Sequence, residues 1–436
     1  MSASLGASLL VGLVAPAAAT KIERVTSPGG IEFWLVQEAS VPLIAMDFAF
    51  RGGASQDPAD KAGVASMVAA LIDEGAGDLN SKAYHERLED KAIELGFSAN
   101  RDQFTGSMRT LVENKDAAFD MMRLSLTAPR FEAPDVERMR SDILGILRRD
   151  STNPDEMASR RWWETAFAGH PYGRPVRGTP ESIAAITVDD LRAYMKDVFA
   201  RDTLKIGMVG NIDAATAAAM VDKVFGGLRA HSALRTVAIE GPQGLGRVIS
   251  IDFDVQQSVV MMGGAGIARK DPDFMAAFLV NHILGGGAFS SRLYREVRET
   301  RGLAYSIYST LVPLDYTALF MTATATRGEA ARQTLDVVEK EIRRLAESGP
   351  TEEELAKAKS YQKGSFPLRF DTSTKIAAQL VQMQIDDLGI DYIDKRNDLV
   401  DAVTLADVQR VAKRLLDGGM LVTMVGRPQP SPAKGG

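Results

Sequence analysis

Two stretches of this chain are apolar almost without interruption and end in glycine: Val41–Ala54, which closes on Arg51-Gly52-Gly53, and Gln257–Ala265, which closes on Gly263-Gly264. A run of that kind, bounded by turn residues, predicts a buried strand entering a glycine turn. Helical periodicity follows each, over Lys61–Asp73 and Asp273–Leu284. Farther on, Ala133-Pro134-Asp135-Val136 and Thr351-Glu352-Glu353-Glu354-Leu355 each predict a long charged helix behind a capping residue. Thr187 and Thr404 predict the starts of two more helices, each leading to an apolar strand that ends Met-Val-Gly, at Met208–Gly210 and Met424–Gly426. Strands, two helices, strands, a helix pair, a helix and a final strand are neither strict βαβ alternation nor all-β. The predicted class is α+β with mostly antiparallel sheets.

The landmarks pair up. Gly52 with Gly263, Val136 with Leu355, Thr187 with Thr404 and Gly210 with Gly426 are separated by roughly 211–219 residues, which predicts an internal duplication. Two homologous halves are expected over 20–228 and 247–429, joined by a linker at 229–246 whose Gly241-Pro242 and Gly244-Leu245-Gly246 are turn-rich. Residues 430–436, rich in Pro, Gly and Lys, are expected to be a disordered tail.

Composition narrows the function classes. The 436 residues carry 45% apolar and 25% charged side chains, enough for several sizeable cores. A net charge of -6 without a basic run favours neither nucleic acid nor an anionic membrane as partner. The lack of cysteine rules out disulfides and thiolate metal sites. Leu9–Val14 is apolar, Ala15-Pro16-Ala17-Ala18-Ala19 is of the small-residue cleavage type, and the first charge is Lys21. A signal peptide over 1–19, leaving a periplasmic or secreted protein without a membrane anchor, is the expectation; a plain Ala-rich tail is the alternative.

The candidate chemistry lies in the second half. Gly285-Gly286-Gly287-Ala288-Phe289 offers a backbone that another peptide can approach closely, although a helix C-cap turn would need the same glycines. No Gly-Lys-Ser/Thr follows, so it is not a phosphate loop. Arg298 and Tyr305 then supply a charged fork and a phenol suited to a peptide carbonyl or an oxyanion. Arg292, Tyr294, Arg295, Arg301 and Tyr308 lie within reach and rank below them. The only histidines are His85, His170, His231 and His282, and no two have metal-ligand spacing. His170, in a turn-like His-Pro-Tyr-Gly, reads as a loop histidine with a backbone partner.

Taken in order, the Arg51-Gly52-Gly53 turn, His170–Gly173, Ile186–Gly210 and the glycine loop with its Arg298…Tyr305 sequel resemble the pitrilysin/insulinase-like peptidases, the inverzincins. The processing-peptidase branch is the most similar. The resemblance implies that each half is an α+β domain and that the chain forms one half of a clamshell. In this family a catalytic half carries H-x-x-E-H, because two His four residues apart on one helix face both reach a zinc ion. Placing Ala62-Gly63-Val64-Ala65 on the family's lead-in puts Ser66, Ala69 and Ala70 at those positions, and none can ligate zinc or act as base. The helix expected to give a further carboxylate, from about Asp135 to Arg149, offers Glu137 and Asp142 but no Glu where the ligand belongs.

The resemblance therefore implies no cofactor in this chain. It implies a substrate-binding subunit of a heterodimeric zinc peptidase, whose zinc sits on a homologous partner and whose peptide is gripped by Arg298, Tyr305 and the loop Gly285–Phe289. A peptidase-like scaffold that has lost catalysis is the alternative.

Overall fold

The computed structural model describes residues 21–427. The leader expected over 1–19 and the tail over 430–436 lie outside them. Eleven strands of the described residues form two sheets. The first is built from β1 (Glu23–Thr26), β2 (Glu32–Gln37), β3 (Leu43–Arg51), β4 (Glu94–Ala99), β5 (Gln103–Leu111) and β6 (Lys205–Gly210), in the order β1-β2-β6-β3-β5-β4. The second is built from β7 (Val248–Ile251), β8 (Gln257–Ala265), β9 (Ala304–Pro313), β10 (Ala318–Arg327) and β11 (Leu421–Val425), in the order β7-β11-β8-β10-β9. Apart from the added edge β1, the orders correspond strand for strand. Every pairing is antiparallel except β2 with β6 and β7 with β11, which occupy the same place in the two sheets. The α+β class and the duplication both hold.

The register corrects one correspondence. β3 and β8 are both nine residues long with almost the same burial pattern, so the glycine after Arg51 matches the glycine after Ala265. Gly52 therefore corresponds to Gly266, not Gly263. Gly263 and Gly264 lie inside β8, where their lack of side chain answers a packing demand: a Cβ on Gly263 would come 2.3 Å from Trp162 Cζ2. Gly210 and Gly426 do correspond. Both have positive φ (150° and 143°), and a Cβ would strike Leu43 O at 2.2 Å and Ser258 Oγ at 2.1 Å, the same strand edge in each half.

Trp162 reaches Gly263 because the halves exchange helices. The helix Pro154–Ala166, from the first half, packs on β8 and β11 of the second sheet; Ser373–Ile385, from the second half, packs on β3 and β6 of the first. Trp162 donates from Nε1 to Leu421 O at 3.0 Å, and Gln384 donates from Nε2 to Ile206 O at 2.8 Å. This exchange explains the unbroken apolar runs. Ile44, Met46, Phe48 and Phe50 face the first half's own core, while Ala45 faces Ala377, Leu380 and Met383 of the incoming helix. A strand covered on both faces shows no alternation.

Helix ends differ from expectation where tertiary contacts intervene. The first helix is shortened to Val64–Leu71 and is capped from a distance by Asp57, which accepts from Gly63 N (2.7 Å) and Ala65 N (2.9 Å). Thr187, Thr351 and Thr404 form full capping boxes with Asp190, Glu354 and Asp407. The helix Ala133–Asp150 starts from Glu132 without a side-chain cap. The expected helix Asp273–Leu284 is an α-helix only over Phe274–Asn281 and then widens into a π turn, His282–Gly286.

Candidate functional site

Ser66, Ala69 and Ala70 project from Val64–Leu71 into a cavity of about 880 Å3, whose facing wall includes Met139, Ile143, Ile146 and Leu147 from Ala133–Asp150. Ser66 spends its hydroxyl on Val176 O at 2.8 Å. Glu137 pairs with Arg140 at 3.3 Å, and Asp142 is exposed. Two methyl groups and one committed alcohol at these positions do not fit a zinc ion, which needs nitrogen, thiolate or carboxylate donors, although Asp142, Asp150, Glu156 and Glu164 line the same cavity elsewhere. Among the described residues no group of three or more His, Cys, Asp or Glu side chains could hold a metal. His170 has the backbone partner expected of it: Nε2 lies 2.9 Å from Ala238 O, while Nδ1 accepts from Tyr172 N at 3.1 Å.

In the second half, the glycines are set by their surroundings one at a time. Gly285 is buried against β9, where a Cβ would lie 2.7 Å from Ser309 N. It offers no backbone to a substrate, contrary to the expectation. Gly286 is exposed, and so are Ala288 and Phe289, the latter 73%. Gly287 N closes the π turn on His282 O at 2.8 Å. Ala288, with φ 45°, turns the chain outward in a conformation that ordinary residues seldom take.

Arg298 and Tyr305 meet. The guanidinium carbon of Arg298 lies 4.3 Å from the Tyr305 ring centroid and 5.0 Å from that of Tyr294, so the cation is held between two aromatic faces. Arg298 makes no ion pair among the described residues, which removes the reading of it as an ordinary surface salt-bridge arginine. Tyr294 in turn meets Phe289 edge-on at 5.1 Å, which joins the glycine loop to the pair. Tyr294, ranked below them in the sequence, is thus part of the site as the inner wall of the stack. Two of the neighbouring arginines are engaged in ion pairs, whereas Arg295 is exposed. Arg292 is buried in a two-bond pair with Glu354 (2.7 and 2.6 Å), and Arg301 pairs with Glu296 at 2.6 Å.

Three departures from regular backbone build this face. Arg298 sits in a second π turn, Tyr294–Glu299, and the glycines end the first. Tyr305 lies on edge strand β9 where the register slips against β10: Ala304 pairs with Thr326 and Ile307 with Thr324, so Tyr305 and Ser306 share the place opposite Ala325. That bulge re-aims Tyr305, which is 79% exposed. π turns and bulges cost regular hydrogen bonding and recur at functional sites. No residue pattern in the sequence announced them.

The sequence profile described as "Insulinase (Peptidase family M16)" matches residues 36–180, and that described as "Peptidase M16 inactive domain" matches 185–361. The chain belongs to the insulinase-like M16 peptidase family. Among its M16 relatives, a Helicobacter pylori protein named "Non-peptidase homolog YmxG" is 27% identical over 76% of this chain and 77% of its own length. A "Probable mitochondrial-processing peptidase subunit beta" of Schizosaccharomyces pombe is 26% identical over 96% and 94%. The solved structure of a "peptidase M16 inactive domain" from Pseudomonas fluorescens superposes with a TM-score of 0.88 at 27% identity, covering 94% of this chain and 98% of that one. Other relatives carry the name "Uncharacterized zinc protease", among them one of Streptomyces coelicolor, 26% identical over 93% of this chain and 89% of its own length; at positions 66, 69 and 70 this chain has Ser, Ala and Ala.

Proposed function

We propose that this chain is the peptide-gripping, zinc-free subunit of a two-chain M16 peptidase, exported with a mature start near Thr20. The observation that carries the reading is Arg298: a guanidinium without a carboxylate, in a π turn and stacked between Tyr294 and the edge-strand Tyr305. A peptide laid along β9 pairs with its free backbone groups, Arg298 takes a peptide carbonyl, and the Tyr305 hydroxyl donates to the oxyanion that forms there. Hydrolysis itself belongs to a homologous partner bearing the zinc ligands. The M16 relative named as a non-peptidase favours a second reading, a binding scaffold without turnover.

Reconstitution separates the two. This chain is mixed with a homologue carrying H-x-x-E-H, and peptide hydrolysis and bound zinc are measured for each chain and for the pair. The pair is expected to cleave, this chain alone to be inert and to hold no stoichiometric zinc. A pair no faster than the partner alone selects the scaffold. Amino-terminal sequencing of the native protein checks the start.

A further inference from the structure

Behind the glycine loop, between the second half's own helices and the exchanged helix Ser373–Ile385, lies a separate cavity of about 270 Å3. Asn281, whose side chain abuts Gly286, forms part of its wall. The charged groups lining it are three arginines and one carboxylate: Arg269, Arg369, Arg396 and Asp386. Arg269 already has its counter-charge, since Nε donates to Asp386 Oδ2 at 3.1 Å and Nη2 to Tyr392 Oη at 3.1 Å. That leaves two cations in excess.

Arg396 is the informative one. It is 3% exposed, and it has no carboxylate partner. Its Nη1 and Nη2 donate to Gln362 O (2.9 Å) and Gln362 Oε1 (3.3 Å), which are neutral acceptors. A buried cation without an anion is costly, and proteins either pair such charges or present them to a ligand. Burial, reinforced by the charges of Arg369 and Arg269, holds the Arg396 guanidinium below the usual arginine range, so these cations also repel one another. Arg369 makes no ion pair or side-chain hydrogen bond among the described residues. An apolar face of the wall is formed by Phe274, Phe278, Phe366, Leu311 and Met383, while Asn281, Thr310, Gln379 and Gln382 add neutral polar groups. Arg396 lies 4.2 Å from the Phe366 ring centroid and Arg269 4.3 Å from that of Phe274, so the guanidinium groups are held rigidly by stacking.

We propose that this cavity is a binding site for an organic carboxylate on an apolar body about the size of one amino-acid residue, with the carboxylate between Arg369 and Arg396 and the body against Phe274, Phe278 and Phe366. Planar guanidinium groups are suited to a planar carboxylate, and the three phenylalanine rings offer contact that a bare inorganic anion would leave unused. The volume is near the lower end of small-molecule sites, which run from roughly 300 to 1,000 Å3. A free small acid and the last residue of a peptide share this chemistry. The inference does not depend on the chain having a peptidase partner.

The test is calorimetric titration of the mature chain with 3-phenylpropionate, with an acetylated tripeptide ending in Phe, with the amide of each, and with inorganic phosphate. At least one acid is expected to bind, its amide and phosphate at least about tenfold more weakly. Which acid binds tells a free metabolite from a peptide end. Arg369→Gln removes an exposed cation, and Gln379→Glu adds a carboxylate at the cavity wall; each is expected to weaken binding about tenfold or more without lowering the thermal midpoint. No binding of either acid, amide or phosphate binding as tight as the acid's, or indifference to both substitutions overturns the proposal. Binding by this chain alone, with reconstitution failing, would keep this site and discard the peptidase reading.

Discussion

The Arg298 guanidinium lies 4.3 Å from the centre of the Tyr305 ring, and the two residues come from different kinds of irregular backbone, a π turn and a strand bulge. Neither residue anchors the core. Arg298→Ala and Tyr305→Phe are therefore expected to change stability by less than about 1 kcal/mol, as for other exposed polar sites. In the reconstituted pair, the loss of one donor to the developing oxyanion is expected to lower turnover by ~10²–10³. Tyr305→Phe keeps the ring under Arg298 and so isolates the hydroxyl. Peptide hydrolysis, with partner binding and circular dichroism as controls, is the measurement; unchanged turnover in both variants makes the pair structural.

Arg292 provides the contrast six residues earlier. It is 5% exposed and bonds Glu354 twice. Burial pushes the Glu354 carboxyl up, but the Arg292 bonds and the Thr351 amide outweigh it and hold it down to about 2. Arg292→Ala leaves that carboxylate without its partner and is expected to cost roughly 3–5 kcal/mol in urea unfolding. A cost near zero would mean that the pair is not a buried one in solution.

The glycines of the loop should not behave alike. Gly285→Ala drives a methyl into the β9 backbone at Ser309 and is expected to destabilise by about 1–3 kcal/mol. In Gly286→Ala the nearest atom is the end of the Asn281 side chain, at 2.7 Å, so a cost below about 1 kcal/mol is expected. Any turnover defect in Gly286→Ala then reports on substrate access rather than folding. Equal melting points for the two variants would contradict this division.

Trp162 is fully buried in the opposite half from its own strands and is hydrogen-bonded to Leu421. Trp162→Ala is expected to cost about 3–5 kcal/mol, measured by denaturant titration. Because the contact joins the halves, the wild-type chain should unfold in one transition when followed by fluorescence and by circular dichroism. Two separated transitions would show that the helix exchange does not couple the sheets.

Stability should rise as pH falls from about 8 to about 5. Burial pushes the Asp57 carboxyl up to about 7, against the pull of its amide bonds, and burial pushes Asp47 up to about 6. A raised carboxyl contributes stability that is complete below its ordinary value of 3.8 and is lost as pH rises through the folded value. Asp273 works in the opposite sense. Bonds from Arg410 and Arg414 outweigh its desolvation and hold it down to about 2, so its contribution is present above 3.8 and lost as pH falls through about 2. Urea midpoints are thus expected to peak between about pH 4 and 6, and Asp47→Asn should flatten part of the slope between 5 and 8. A midpoint that climbs with pH across that range would refute this account.

What the sequence determined by itself is whatever depends on local patterning. The α+β class, the duplicated order of strands and helices, the threonine caps at 187, 351 and 404 and the unsuitability of Ser66, Ala69 and Ala70 as zinc ligands are properties of residue type and spacing, and they stand in the fold. Contacts distant in sequence decided the rest. Gly263 looked like a turn glycine because nothing local reveals that Trp162, about a hundred residues earlier, lies on it. The exchange of Pro154–Ala166 and Ser373–Ile385 is invisible locally, since a helix shows that it has an apolar face but not whose sheet will cover it. The π turns, the bulge at Tyr305 and the stack of Tyr294 on Arg298 arise only when β9 pairs with β10 and the glycine loop is pressed against it. Residue types specify which chemistry is available; the long-range packing of strands and helices decides which of those residues come within reach of one another.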